Sequence, residues 1–146
     1  MTVLSFTANK ISADPAKGSV IERFPAASAI TSPLGKAVYL TTAGKVELAD
    51  ANVTAAEARA IGIIVAVPNA YSENAIDTDE YCSVCRFGPV YGFSSLAEGT
   101  FGYVSKTAGE IDDTAPTSGA WQYVLGQCMT EDTFFVNPGI AIPASV

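Results

Sequence analysis

The cysteines are the first residues with chemistry to offer in this sequence of 146 residues. Cys82-Ser-Val-Cys85 has the C-x-x-C spacing that opens many zinc sites, and Cys128 stands alone. A closed tetrahedral zinc site takes four nitrogen or sulfur ligands, and the sequence contains no histidine. A thioredoxin-type pair sits at a helix N-terminus, whereas YCSVCRF reads as a strand. The expectation is three reduced, small, buried or half-buried residues and no metal.

Without histidine the commonest general base is missing, and with it any Ser-His-Asp or Cys-His arrangement within one chain. Carboxylates remain. Asp77-Thr-Asp79-Glu80, Glu110-Ile-Asp112-Asp113 and Glu131-Asp132 could supply a glycosidase pair or calcium ligands. None follows the Asp-x-Asp-x-Asp-Gly loop of an EF-hand, and each adjoins turn residues where acidic side chains are ordinarily solvated. Gly88, Gly92, Gly99 and Gly102 form neither G-x-G-x-x-G nor G-x-x-x-x-G-K-[ST] and read as turn residues. No catalytic residue, cofactor-binding residue or cofactor is expected.

The net charge of −7 is unevenly spread. Residues 1–73 carry six basic and six acidic side chains, whereas residues 74–146 carry two basic and nine acidic. Nucleic acid is a poor partner for such a surface, since phosphate binding needs clustered Lys and Arg. No apolar run nears the roughly 20 residues that span a bilayer, and MTVLSFTANK lacks the basic start and apolar stretch of a secretory signal. These features predict a soluble protein made in the cytoplasm, with no membrane partner.

The elements that must position these residues are short and extended. Candidate strands lie at 36–41, 45–48, 61–67, 81–87, 89–93, 101–105, 120–126 and 133–137. Phe101, Tyr103 and Ser105 alternate with Gly102 and Val104. One helix is signalled: Thr54-Ala-Ala-Glu57 has the form of a capping box, AAEARA supplies two turns at most, and Gly62 is expected to stop it.

YLTTAGKV at 39–46 and YVSKTAGEI at 103–111 say nearly the same thing, and the likeness extends. Gly35, Tyr39, Gly44 and Gly62 in the first copy match Gly99, Tyr103, Gly109 and Gly126 in the second, with 18 and 17 residues from turn glycine to closing glycine. Each unit reads as a hairpin, a variable crossover and a returning strand. Two such units closing on one another predict an all-β (mainly β) fold, a small β-barrel with one short helix. Residues 1–34 have a different texture, with proline at 15, 25 and 33. They read as an extended N-terminal arm before a β-barrel domain at 35–146, whose pseudo-repeats span 35–66 and 99–138.

AVYLTTAGKVELADANVTAAEARAIGIIVA, the strand pair RFGPVYGF, LAEGTFGYVSKTAGEIDDTAPTSGAWQYVLGQC and the closing TFFVNP together resemble the capsid decoration, or cement, proteins of tailed bacteriophages. The likeness covers roughly residues 35–138. It implies a non-enzymatic, β-tulip-like homotrimer on the exterior of a phage head, bridging neighbouring major capsid protein subunits in the virion. In this picture the arm adds to the capsid lattice, and Val3, Leu4, Phe6, Ile11 and Phe24 are its candidate interface residues. The alternative is a glycan- or receptor-binding module of a phage fibre, with Trp121, Tyr123, Tyr91 and Phe93 as a stacking platform.

Overall fold

The computed structural model describes residues 3–68, 74–117, 119–139 and 142–143. Its strands are β1 (Val20–Pro25), β2 (Ile30–Thr31), β3 (Ala37–Leu40), β4 (Val46–Leu48), β5 (Ala60–Ala66), β6 (Ala75–Ile76) and β7 (Tyr81–Tyr91). Then come β8 (Phe101–Val104), β9 (Ile111–Asp112), β10 (Trp121–Gln122), β11 (Val124–Cys128), β12 (Thr133–Val136) and β13 (Ile142–Pro143). Among the described residues the single α-helix, α1, is Ala55–Ala58. The fold is mainly β. One antiparallel sheet curls into a half-barrel in the order β4-β3-β5-β7-β12-β11-β8-β9, with β1 paired to β7 beside this path.

The order reads the same from either end. In the first half a hairpin, β3–β4, is followed by a returning strand, β5, that pairs back onto β3 and then passes to β7. In the second half the hairpin is β8–β9, and β11 returns onto β8 before passing to β12. β7 and β12 join the halves. Branched and aromatic side chains on the concave face make the core, with Val38, Ile64, Val84, Val104, Leu125 and Phe134 wholly buried.

The matched glycines have matched jobs. A Cβ on Gly62 would stand 2.0 Å from the Cys85 carbonyl oxygen, and one on Gly126 would stand 2.0 Å from that of Phe135. Each returning strand therefore crosses its next neighbour at a distance that only a residue without a side chain permits.

Several expectations need correcting. The helix is one turn, because Ala60 is already paired in β5; Gly62 lies within that strand and does not stop the helix. The Thr54 hydroxyl accepts from the Glu57 N–H at 3.1 Å, but the Glu57 carboxylate turns to the Thr54 hydroxyl and to Tyr39. The strands expected at 81–87 and 89–93 are one strand of 11 residues that runs through Gly88. Gly88 and Gly102 are strand residues, not turn residues. Asp112, expected in a solvated turn, is only 2% exposed within β9.

Residues 1–34 could lie against their own barrel or against a neighbour, and the fold uses much of the segment itself. β1 pairs with the first half of β7, and the chain then runs past Val46, where the Ala27 N–H donates to the Val46 carbonyl. Earlier residues serve the second half: Leu4 N–H donates to Ile111 O on β9, and Ser12 exchanges two backbone bonds with Tyr91 on β7. The N-terminal segment thus bridges the curl of each half. Its seat is shaped by glycines, since a Cβ on Gly35 would meet the Phe6 ring at 2.4 Å, one on Gly88 the Gly18 carbonyl at 2.5 Å, and one on Gly92 the Lys10 carbonyl at 2.4 Å.

Of the five residues expected to await a capsid partner, Leu4, Ile11 and Phe24 are buried in the chain's own core. Phe6 packs against that core, edge-on to Phe93 with ring centres 5.7 Å apart. Only Val3 is substantially exposed. Burial of the first four stabilises this fold, so their side chains are not free for another molecule.

Candidate functional site

The feature of the surface that calls for a function is apolar. On the outer face, residues that are opposed or diagonal neighbours across the pairing form a row over five strands. Val20 on β1 faces Phe87 on β7. The Phe87 ring meets Phe135 on β12 edge-on at 5.0 Å. Phe135 faces Gln127 on β11, which faces Phe101 on β8. Val20, Phe87 and Phe101 are 53%, 44% and 49% exposed, and Met129, just past β11, is 50% exposed. With neighbouring strands about 4.8 Å apart, the row is roughly 19 Å long. Beside it lies an open cavity of about 630 Å³ whose lining includes Phe101, Gln127, Met129, Phe135, Asn137 and Glu98. Gln127 is held there by its side-chain amide, which donates to the Gly99 carbonyl at 2.8 Å.

The equivalent positions in the other half make the row conspicuous. Matching Gly62 to Gly126 puts Ala37, Ile63 and Cys85, themselves cross-strand partners, where Phe101, Gln127 and Phe135 stand. Those three are 0% exposed. One half of the molecule covers this face, and the other presents larger, aromatic side chains there.

The charged groups around the row are mostly acidic. Glu98 lines the cavity, and Glu131 and Asp132 are exposed in the turn between β11 and β12. The Thr130 and Thr133 hydroxyls donate to Asp132 and hold its carboxyl below the ordinary value. At the other end Arg86 is engaged with Glu22 at 3.0 Å and lies over the Phe24 ring.

The titratable clusters behave differently from one another. The acidic runs singled out in the sequence do not converge: Asp77, Asp79 and Glu80 precede β7, Asp112 is in β9, and Glu131–Asp132 lie between β11 and β12. Asp79 pairs with Lys45, and Glu80 caps the Asp77 N–H at 2.7 Å. The fold instead gathers Glu47 and Asp50, which the sequence did not mark, with Glu57 of the helix along a cleft of about 250 Å³. The Tyr39 hydroxyl sits between two of them, 2.8 Å from Glu47 and 3.4 Å from Glu57. Burial, with both carboxylates, raises its pKa, so the phenol stays a neutral donor. Cross-strand pairing of Tyr39 with Glu47 is the signal that could have found this group.

Among the described residues no group of three or more His, Cys, Asp or Glu side chains is arranged to hold a metal ion. Cys82, Cys85 and Cys128 are free and buried. Burial pushes the Cys82 thiol up to about 11 and raises the other two as well. A thiol is nucleophilic as its thiolate, so these are unreactive groups at neutral pH.

The stacking platform expected of a glycan binder is not presented. Tyr123 and Phe93 are both 4% exposed, Trp121 packs partly against the core, and Tyr91 lies beneath Lys17. The row that is presented, Phe87–Phe135–Phe101, was missed because each residue sits in an apolar strand and reads as core. Its only trace in sequence is phase, since Phe135 lies between the inward Phe134 and Val136. Among the described residues no helix is long and apolar enough to cross a membrane. No protein-family model matches the chain, and no curated protein matches it significantly.

Proposed function

We propose that this chain is a structural protein of a tailed-bacteriophage virion. It binds the exterior of the head as a homotrimer and cements neighbouring major capsid protein subunits, with no reaction of its own. The observation that carries the reading is the aromatic row across the outer face of the second half. Soluble proteins seldom keep several large aromatic side chains aligned in water on one sheet face unless another molecule covers them. The resemblance of residues 35–138 to decoration proteins supplies the kind of partner.

The test is physical association. Purified virions should contain the chain in a fixed ratio to the major capsid protein, and purified chain should sediment with undecorated heads. Absence from virions together with no binding to heads would overturn the proposal. Binding to host cells in place of heads would move the protein to a fibre.

A further inference from the structure

We infer that the row Phe87–Phe135–Phe101 docks an apolar stretch of a partner protein flanked by lysine or arginine. The inference deepens the structural reading above by stating the chemistry of the contact, and it rests on that reading only for the claim that a protein is bound.

Two observations lead to it. The first is internal: the matched positions Ala37, Ile63 and Cys85 are wholly covered in one half, while Phe101, Gln127 and Phe135 lie at an open face in the other. Exchanging Ala37 for a phenylalanine and leaving it 49% exposed at Phe101 has a cost in water that a bound apolar surface removes. The second is electrostatic. Glu98 lines the cavity, Glu131 and Asp132 are exposed in the turn between β11 and β12, and the two cations beside the row are engaged, Arg86 with Glu22 and Lys17 over the Tyr91 ring. An apolar segment with acidic flanks would be repelled, and one with basic flanks would be drawn in and held in register. Gln127 and Asn137 beside the cavity offer amides to the partner's backbone.

The test uses the full chain and three synthetic peptides: a Leu/Phe core with Lys flanks, the same core with Glu flanks, and a Gly/Ser core with Lys flanks. Binding is read by fluorescence anisotropy. The Lys-flanked apolar peptide should bind at least about tenfold more tightly than either of the others, and more weakly as salt rises. Phe101→Ser/Phe135→Ser should lose that binding with an unchanged circular dichroism spectrum, and Glu98→Lys/Glu131→Lys/Asp132→Lys should reverse the flank preference. Equal binding of both apolar peptides, binding that survives the double serine change, or no binding of any peptide would overturn the inference. So would self-association of the unaltered chain that the double serine change abolishes, since the row would then belong to a second copy. If the peptide preference holds but heads are not bound, the capsid reading fails and this one stands.

Discussion

Thr42-Ala43-Gly44 and Thr107-Ala108-Gly109 occupy the same place in two equivalent hairpins, in different surroundings. Gly44 turns β3 toward β4 with φ +77° and has no atom within 4 Å of where its Cβ would be. Gly109 turns β8 toward β9 with φ +80° but is buried against Leu48 and Lys36 of the other half. Its N–H donates to Ala49 O at 2.8 Å, and its own carbonyl accepts from Ala37 N–H at 2.9 Å. The same letters produce the same local geometry. Position in the curled sheet decides that one turn only reverses the chain while the other also fastens the two halves together.

The strongest perturbation of this comparison is removal of residues 1–17. In the second half Leu4 and Ile11 bridge the curl and are buried, so losing them forfeits about 1.5–3 kcal/mol each. That is a large share of the stability of a domain this size. We expect the truncated chain to melt at a markedly lower temperature and to lose hydrogen-exchange protection first in β8, β9 and β11. A truncation that melts like the full chain would break the account of the N-terminal segment.

Next in size are the closing glycines. Gly62→Ala and Gly126→Ala each force a methyl group onto a backbone carbonyl, and each should cost about 3 kcal/mol in urea unfolding. If one is tolerated, the halves are not equivalent at that point.

The turns themselves come third. Gly44→Ala should cost about 1–2 kcal/mol, from the left-handed backbone alone. Gly109→Ala carries that cost and must also displace the Leu48 and Lys36 side chains, so it should lose roughly 1 kcal/mol more. Equal losses would erase the distinction between the turns.

The smallest effect is alkaline. The folded state holds the Cys82 thiol above its ordinary value of 9.0, at about 11. A raised folded-state value means that the stabilisation is complete below about pH 9 and is lost as pH rises through about 11. Denaturation midpoints should therefore be level up to pH 9 and fall beyond it, and Cys82→Ala should flatten part of that fall. Tyr39, also raised, adds to the loss at still higher pH. A fall of equal slope in the variant would remove Cys82 from the explanation.

The parts of the fold legible in sequence are those encoded locally. Alternation in Phe101-Gly-Tyr-Val, the paired TAG turns and the paired closing glycines each rest on contacts within one hairpin and its return strand, so the repeat could be read directly. β1 could not. In Val-Ile-Glu-Arg-Phe-Pro only Phe24 is buried, because the strand is held by backbone pairing to β7 along one edge, which leaves no periodic pattern in the side chains. The N-terminal seat was equally hidden: Gly88 and Gly92 resemble turn residues until the chain that passes over them is placed. The candidate site was least legible, since an outward phenylalanine in a strand of inward ones differs from its neighbours only by a register fixed through distant pairing.

The pairing of Val3 with Asp112 sets an order of events during synthesis. The residues around Val3 have partners that are made roughly a hundred residues later, which at about 5–20 residues per second is a wait of several seconds or more. Through that interval Leu4, Phe6 and Ile11 are apolar, extended and without their seat. The halves of the sheet are also made one after the other, so the first can form before the second exists. The earlier-made segment around Val3 to Ile11 is then laid last, across strands made after it. A nascent chain stalled before Ile111 should carry a folded first half and a protease-sensitive N-terminus.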